Sequence, residues 1–195
     1  MIFIGICGAS GSGKSTLADS LAAALGDHAL VLQQDCYYKD HSHLPFEERC
    51  RLNYDEPGIF DHDALLQDVT DLMNGKPVTR KGYDYANHRR ADTEELIAPP
   101  DVLILEGIHC FHDERLLKLM YLKLYMNVDA DICLLRRIER DIIERGRSID
   151  SISDQYRHTV RPMFEKYIRN YINLSQEMVM LFVLIDSRHD IGKAD

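Results

Sequence analysis

The segment that most restricts the fold lies at the start of the chain. Residues 2–7 form a nearly continuous apolar run, and residues 8–15 read Gly-Ala-Ser-Gly-Ser-Gly-Lys-Ser. Leu17, Leu21 and Leu25 then recur at four-residue spacing, with Ala18 and Ala22 beside them and Gly26 at a C-cap position. An apolar run without alternation suits a strand buried on both faces, and the four-residue spacing marks one face of a helix. The loop between them fits the phosphate-cradling pattern GxxxxGK[ST] without a mismatch. Its glycines let successive N–H groups curl around phosphate oxygens, and the helix behind it adds the positive end of its dipole. Lys14 can then reach the terminal phosphates, and the Ser15 hydroxyl can ligate Mg²⁺. Gly8, Ala9, Ser10, Gly11, Ser12, Gly13, Lys14, Ser15 and Thr16 are the candidate nucleotide-phosphate residues. Average residue usage produces the bare pattern in roughly one chain of this length in a hundred. A chance Gly/Ser turn also gives no reason for the buried strand before it and the amphipathic helix after it.

The rest of the chain repeats the alternation. Strands are expected at 29–33, 102–105, 123–128 and 178–185. One helix is expected after Asp61 as N-cap, with Leu65, Val69 and Leu72 on one face and a stop at Asn74-Gly75; another spans 130–145. The latter sets Leu135, Ile138 and Ile142 on one side and Arg137, Arg140 and Glu144 on the other. Tyr156, Val160, Phe164, Tyr167 and Tyr171 mark a last helical stripe, read as core packing, with a kink or restart at Pro162. The expected fold is α/β: a three-layer arrangement of the P-loop nucleotide-binding type with a mostly parallel sheet, a small β-hairpin insert at about 76–92 and a helical lid at about 136–156. Ligands of such sheets bind at the carboxyl ends of the strands.

At 195 residues the chain suits a single domain, 1–195. The net charge of −9 argues against a broad positive field for nucleic acid or an anionic membrane, so any phosphate site must be local. No apolar run approaches the roughly 20 residues that cross a bilayer, and the first residues lack the features of a leader, so a cytoplasmic protein is expected. The five cysteines are odd in number and lack CxxC spacing, as expected of reduced thiols.

A phosphate loop serves switches, motors and kinases alike, so the class must come from other residues. Asp35 and Glu106 each follow an apolar strand, and a parallel sheet would bring both to the edge that carries the loop. There one carboxylate can hold Mg²⁺ while another takes the proton of an attacking hydroxyl. The Asn-Lys-x-Asp segment of guanine-reading switches is absent from the sequence. Arg136, Arg137, Arg140, Arg145 and Arg147 cluster among acids of the same stretch. They read either as a salt-bridged exposed helix or as a lid that closes over a triphosphate, stabilises developing charge and excludes water. Tyr83 and Tyr85 alternate about Asp84, as in a hairpin with aromatics on one face, and His88 is either a surface histidine or part of a site on that hairpin.

With these residues in view, the chain closely resembles the uridine/cytidine kinases. The resemblance runs from the phosphate loop to about Ile168. It is carried by Gln34-Asp35-Cys36-Tyr37-Tyr38, by Asn53-Tyr54-Asp55-Glu56-Pro57 with Phe60-Asp61, and by Tyr83-Asp84-Tyr85 with His88. Leu105-Glu106-Gly107 and the run from Arg136 to Arg147 followed by Gln155-Tyr156 complete it. It implies phosphorylation of the 5′-hydroxyl of uridine or cytidine, with ATP or GTP as donor and Mg²⁺ as cofactor. Asp35 would be the catalytic base, and Ser15 and Glu106, with Asp35 beside them, the metal-binding groups. Asp55, with Arg137, would bind the ribose 2′- and 3′-hydroxyls. Tyr83 and His88 would read the pyrimidine edge, enclosed by Tyr38, Tyr54 and Tyr85. Lys14, Arg140, Arg145 and Arg147 would serve the phosphates, and Gln155 would lie by the nucleoside. A homo-oligomer, tetramer or dimer, is a further implication. Tyr stands at positions 54 and 85, where the family commonly has Phe, and each hydroxyl needs a partner. After Ile168 the sequence departs from the family pattern. Two other readings stay open at this point: a kinase of another small acceptor, such as nicotinamide riboside, pantothenate or a sugar phosphate, and a nucleotide-binding regulatory module with little turnover.

Overall fold

The computed structural model describes residues 1–85 and 87–179. In chain order its strands are β1 (Ile2–Gly8), β2 (Ala29–Gln33), β3 (Val78–Asp84), β4 (Arg89–Ile97), β5 (Val102–Gly107), β6 (Leu122–Met126) and β7 (Glu177–Val179). Its α-helices are α1 (Lys14–Leu25), α2 (Phe46–Arg49), α3 (His62–Met73), α4 (Glu114–Leu119), α5 (Ala130–Ile143), α6 (Ile149–Gln155) and α7 (Arg161–Lys166). Five strands form one sheet in the order β2-β5-β1-β6-β7, with parallel pairing throughout. β3 and β4 form a separate antiparallel hairpin.

The alternation of side chains along β1 and β5 divides the interior into two clusters. Phe3, Cys7, Leu103 and Leu105 point to the face covered by Leu65, Val69 and Leu72 of α3 and Leu116 of α4. Ile6 and Ile104 point to the opposite face, against Ala18 and the half-buried Leu17 and Leu21 of α1. Because both faces of each central strand are covered, those strands must be apolar almost without interruption. Truncating a fully buried Leu here to Ala would cost about 2–5 kcal/mol. All three layers of the expected fold are present.

Several expected boundaries coincide with the structure. Asp61 caps α3 by accepting a hydrogen bond from the Ala64 N–H at 3.0 Å. β6 ends at Met126, earlier than expected, and α5 stops at Ile143, after which Gly146 turns the chain at φ 62°. The hairpin is longer than the expected insert, reaching Ile97. The aromatic stripe expected on one kinked helix is broken into α6, a π-turn at Tyr156–Val160, α7 with Pro162 in its first turn, and a 3₁₀ segment at Ile168–Leu174. Pro162 therefore restarts the helix. The strand expected at 178–185 begins as β7, and its part beyond 179 lies outside the described residues. Among the described residues no helix is long and apolar enough to cross a membrane. The cysteines are free thiols, all buried except Cys50.

Candidate functional site

β1 delivers the phosphate loop to the carboxyl edge of the sheet. Gly11 sits at φ 83°, and a Cβ there would lie 2.2 Å from the Cys133 carbonyl oxygen of α5, so the loop can pass under that helix only as glycine. Lys14 is nearly buried, and its Nζ donates to the Ala9 carbonyl across the loop at 2.9 Å. β5, paired beside β1, carries Glu106 one residue before its end, and the Glu106 Oε1 accepts the Ser15 hydroxyl at 3.1 Å. Burial raises the Glu106 pKa; Lys14 opposes the shift and Asp35 adds to it. Glu106 thus senses the loop lysine and the second strand-end acid together, as the sequence led us to expect.

Asp35 follows β2 in a 3₁₀ turn, Gln34–Tyr37. Its Oδ2 accepts the Tyr85 hydroxyl from the hairpin tip at 2.7 Å, which gives that extra hydroxyl its partner. The Arg145 guanidinium lies 4.3 Å from the centre of the Tyr85 ring, on its face. A cleft of about 370 Å³ opens beside Asp35, bounded by Gln33, Cys36, Arg80, Tyr83 and Tyr85 among others.

The aromatic residues expected around a base do converge. Tyr38 stacks on Phe60 with ring centres 4.4 Å apart and meets Tyr54 edge-on at 5.3 Å and Tyr83 at 4.7 Å. His88 stacks on Tyr54 at 5.0 Å and has a positive φ of 49°, uncommon for a residue with a Cβ. Burial lowers the His88 pKa, and Arg147, Arg49 and Arg145 lower it further, so the ring is neutral at neutral pH. A neutral imidazole offers one donor and one acceptor, the complement required by an amide-like edge.

Asp55 is buried, and its Oδ2 accepts the Thr159 hydroxyl from the π-turn at 2.9 Å. Burial raises its pKa, with Arg137 and Thr159 pulling the other way. Arg137 ties this region to the phosphate loop: Nη1 donates to Ser10 Oγ at 2.7 Å and Nη2 to Gln155 Oε1 at 2.8 Å. Arg147 donates to the same Gln155 oxygen, so Gln155 bridges two arginines.

α5 turns the side that carries Arg137 and Asp141 inward, with Ile138 and Arg140 half-buried and Glu144 exposed. Leu135 is 63% exposed, Ile142 43% and Ile143 74%, whereas Arg137 and Asp141 are buried. The physical reason is Asp141, a fully buried carboxylate contacted by Arg137, Arg140, Arg145 and Arg147. Burial raises its pKa, but these guanidiniums outweigh burial and hold it below the usual carboxylate range. α5 packs on a polar site, so its polar face turns inward and the apolar stripe remains outside. Arg140, Arg145 and Arg147 are therefore gathered on Asp141 at the end of α5.

Sequence reading missed Thr159 and Asp141. Thr159 stood within a segment read as core packing, and Asp141 was counted only as charge that cancels the arginines. The four-residue spacing of Arg137 and Asp141 was the available signal for the second.

Comparison with known proteins agrees with this geometry. Residues 3–180 match the model of the Phosphoribulokinase / Uridine kinase family. The uridine kinase of Bacillus subtilis strain 168 is 49% identical over 168 residues, covering 86% of this chain and 80% of that protein. Uridine kinase of Vibrio atlanticus is 46% identical over 172 residues, covering 86% and 81%. Among solved structures, phosphoribulokinase from Rhodobacter spheroides shares the fold at TM-score 0.57 and 14% identity, covering 85% of this chain and 67% of that one. A phosphate loop facing two strand-end acids, together with a family match across most of the sequence, places this chain in the phosphoribulokinase/uridine kinase family.

Proposed function

We propose that this protein phosphorylates the 5′-hydroxyl of uridine or cytidine, with ATP as donor and Mg²⁺ as cofactor. The observation that carries the reading is the meeting of Lys14, Ser15, Glu106 and Asp35 at one sheet edge. Asp35 takes the proton from the 5′-oxygen as that oxygen attacks the γ-phosphorus. The bond from phosphorus to the bridging oxygen breaks, and the nucleoside diphosphate leaves with its electron pair. Lys14 and the loop N–H groups hold the phosphates, and Arg137, through Ser10, is placed at the same loop. Arg140, Arg145 and Arg147 move from Asp141 toward the phosphates as the lid closes.

The residues suit a divalent cation. Ser15 Oγ and Glu106 Oε1 already touch, and among the described residues no three His, Cys, Asp or Glu side chains group as a metal site. Such a cation would be shared between Ser15, Glu106, Asp35 and phosphate oxygens, where it would neutralise developing negative charge.

On the acceptor side, Asp55 accepts hydrogen bonds from the vicinal hydroxyls of ribose with Arg137 beside it, and Gln155 lies next to them. Tyr83 and His88 read the pyrimidine edge while Tyr38, Tyr54 and Tyr85 supply aromatic surface. The decisive assay offers uridine, cytidine, adenosine and nicotinamide riboside side by side with ATP and Mg²⁺ and measures the monophosphate formed. Turnover confined to the two pyrimidine ribosides is expected. Preference for nicotinamide riboside, or ATP binding without turnover, would overturn the reading. Light scattering on the same preparation reads the assembly, for which a dimer or tetramer is expected.

A further inference from the structure

His109 is a fully buried titratable side chain that the phosphoryl transfer does not use. It follows β5 by two residues, and every polar atom of the residue that can reach a neighbouring loop does so. Its backbone N–H donates to Gln34 Oε1 at 2.9 Å, Nε2 lies 2.7 Å from the Asp55 carbonyl oxygen, and Nδ1 lies 3.0 Å from the Tyr171 hydroxyl. The same hydroxyl lies 3.1 Å from His112 Nδ1.

These contacts fix where the protons are. A carbonyl oxygen only accepts, so His109 Nε2 carries hydrogen and donates to Asp55. Burial drives the His109 pKa down to about 4, so the ring is neutral and Nδ1 is a bare acceptor. Tyr171, whose pKa is raised by burial, keeps its single proton and donates it to that nitrogen. It must therefore accept from His112, whose Nδ1 carries hydrogen. The result is one directed chain, from His112 through Tyr171 and His109 to the main chain of Asp55.

The chain ends on the main chain of Asp55, and the His109 backbone holds the residue before Asp35. Gln34 precedes Asp35, and it is pressed so closely on Gly107 that a Cβ there would fall 2.4 Å from Gln34 Cβ and from its Oε1. Asp55 is clamped on its N–H by Asn53 Oδ1 at 3.0 Å, on its carbonyl by His109 and on its carboxylate by Thr159. Removing the imidazole leaves the backbone N–H on Gln34 but frees the Asp55 carbonyl, so the Asp55 loop loses its tie to the segment that holds the Asp35 turn.

We propose that His109 is a positioning residue that sets the distance between the Asp35 turn and the Asp55 loop, with Tyr171 and His112 ordering its tautomer. This rests on the reading that Asp55 receives the ribose hydroxyls. It makes Tyr171, in the segment after Ile168, part of acceptor recognition.

The test compares uridine with 2′-deoxyuridine as acceptors in the full chain, with ATP·Mg²⁺ saturating, for H109L, H109Q, Y171F and D55A. H109L is expected to raise the uridine KM about tenfold and to reduce the preference for the riboside, with the ATP KM moving less than about twofold. Y171F should shift the same two quantities by about threefold, since it removes only the hydroxyl. H109Q, which can donate to Asp55 and accept from Tyr171, should recover most of the loss. A lowered melting temperature with riboside preference unchanged in H109L would mean a purely structural histidine and overturn the proposal. Should H109L fail to fold, Y171F decides on the same readout. If D55A lowers the preference while neither H109L nor Y171F does, only the His109 role falls. If D55A leaves it unchanged, the Asp55 reading falls and the His109 proposal with it.

Discussion

The two halves of the candidate site are assembled by different physics. The phosphate side is a single run of consecutive residues, 8–16, whose binding groups are largely backbone N–H donors set between a strand and a helix. Its packing partners, the Cys133 carbonyl and Glu106, come from elsewhere, but its shape is local. The side proposed for the acceptor draws side chains from the Asp35 turn, the Asp55 loop, the β3–β4 hairpin, α5, α6 and the π-turn. It is held by buried polar groups that each need partners far away in sequence. Local backbone geometry tolerates change in the surroundings, whereas a network of buried polar groups is costly when any one member is lost.

Substitutions in the two halves should therefore differ in kind and in size. The largest effect is expected at Asp35: Asp35→Asn should lower kcat by roughly 10²–10⁴ while nucleoside affinity stays within a few-fold. Near-normal turnover in steady-state assays would remove Asp35 from the role of base.

Asp141→Asn should be the largest stability change, about 3–5 kcal/mol in denaturant unfolding, because it leaves four clustered guanidiniums without their buried counter-charge. Asp141 has a lowered pKa in the folded protein, so its contribution is present above the unfolded carboxylate pKa and fades as pH falls through the folded value. The deficit of the variant should therefore shrink below about pH 4. A deficit independent of pH would show that shape, not charge, holds α5.

Glu106→Gln should act in the opposite direction on stability. The raised pKa of Glu106 means that holding it ionised at neutral pH costs folding energy, so the neutral isostere should melt a few degrees higher at pH 7. Toward pH 4 the two proteins should converge, because the native carboxyl then binds its proton. Activity should fall together with the response to Mg²⁺. A lower melting point at pH 7 would refute the electrostatic account.

The smallest effect is expected on the acceptor side: His88→Ala should change the ranking of nucleosides by a few-fold while sparing ATP binding. An unchanged ranking in the four-nucleoside assay would remove His88 from base recognition.

Legibility in the sequence follows the same division. The phosphate loop, β1, α1 and the Asp61 cap of α3 could be placed because each is specified by residues within one turn or strand of one another. Asp35 and Glu106 could be placed because parallel strands of one sheet end on a common edge. The orientation of α5 could not, since hydrophobic periodicity assumes an apolar core and this helix covers a polar one. Tyr85 shows the boundary well: its surplus hydroxyl was visible as a group in need of a partner, but only the folded hairpin selects Asp35. For Asp141 and His109 the sequence shows ionisable side chains and nothing of their surroundings. Their roles depend on which charges and carbonyls lie within 3–4 Å, and that is decided by tertiary packing. A parallel α/β sheet with a phosphate loop at its edge is written in the order of residues, because those are short-range patterns of backbone and burial. The wiring around Asp55, Asp141 and His109 emerges only on folding, because buried polar groups find their partners through space rather than along the chain.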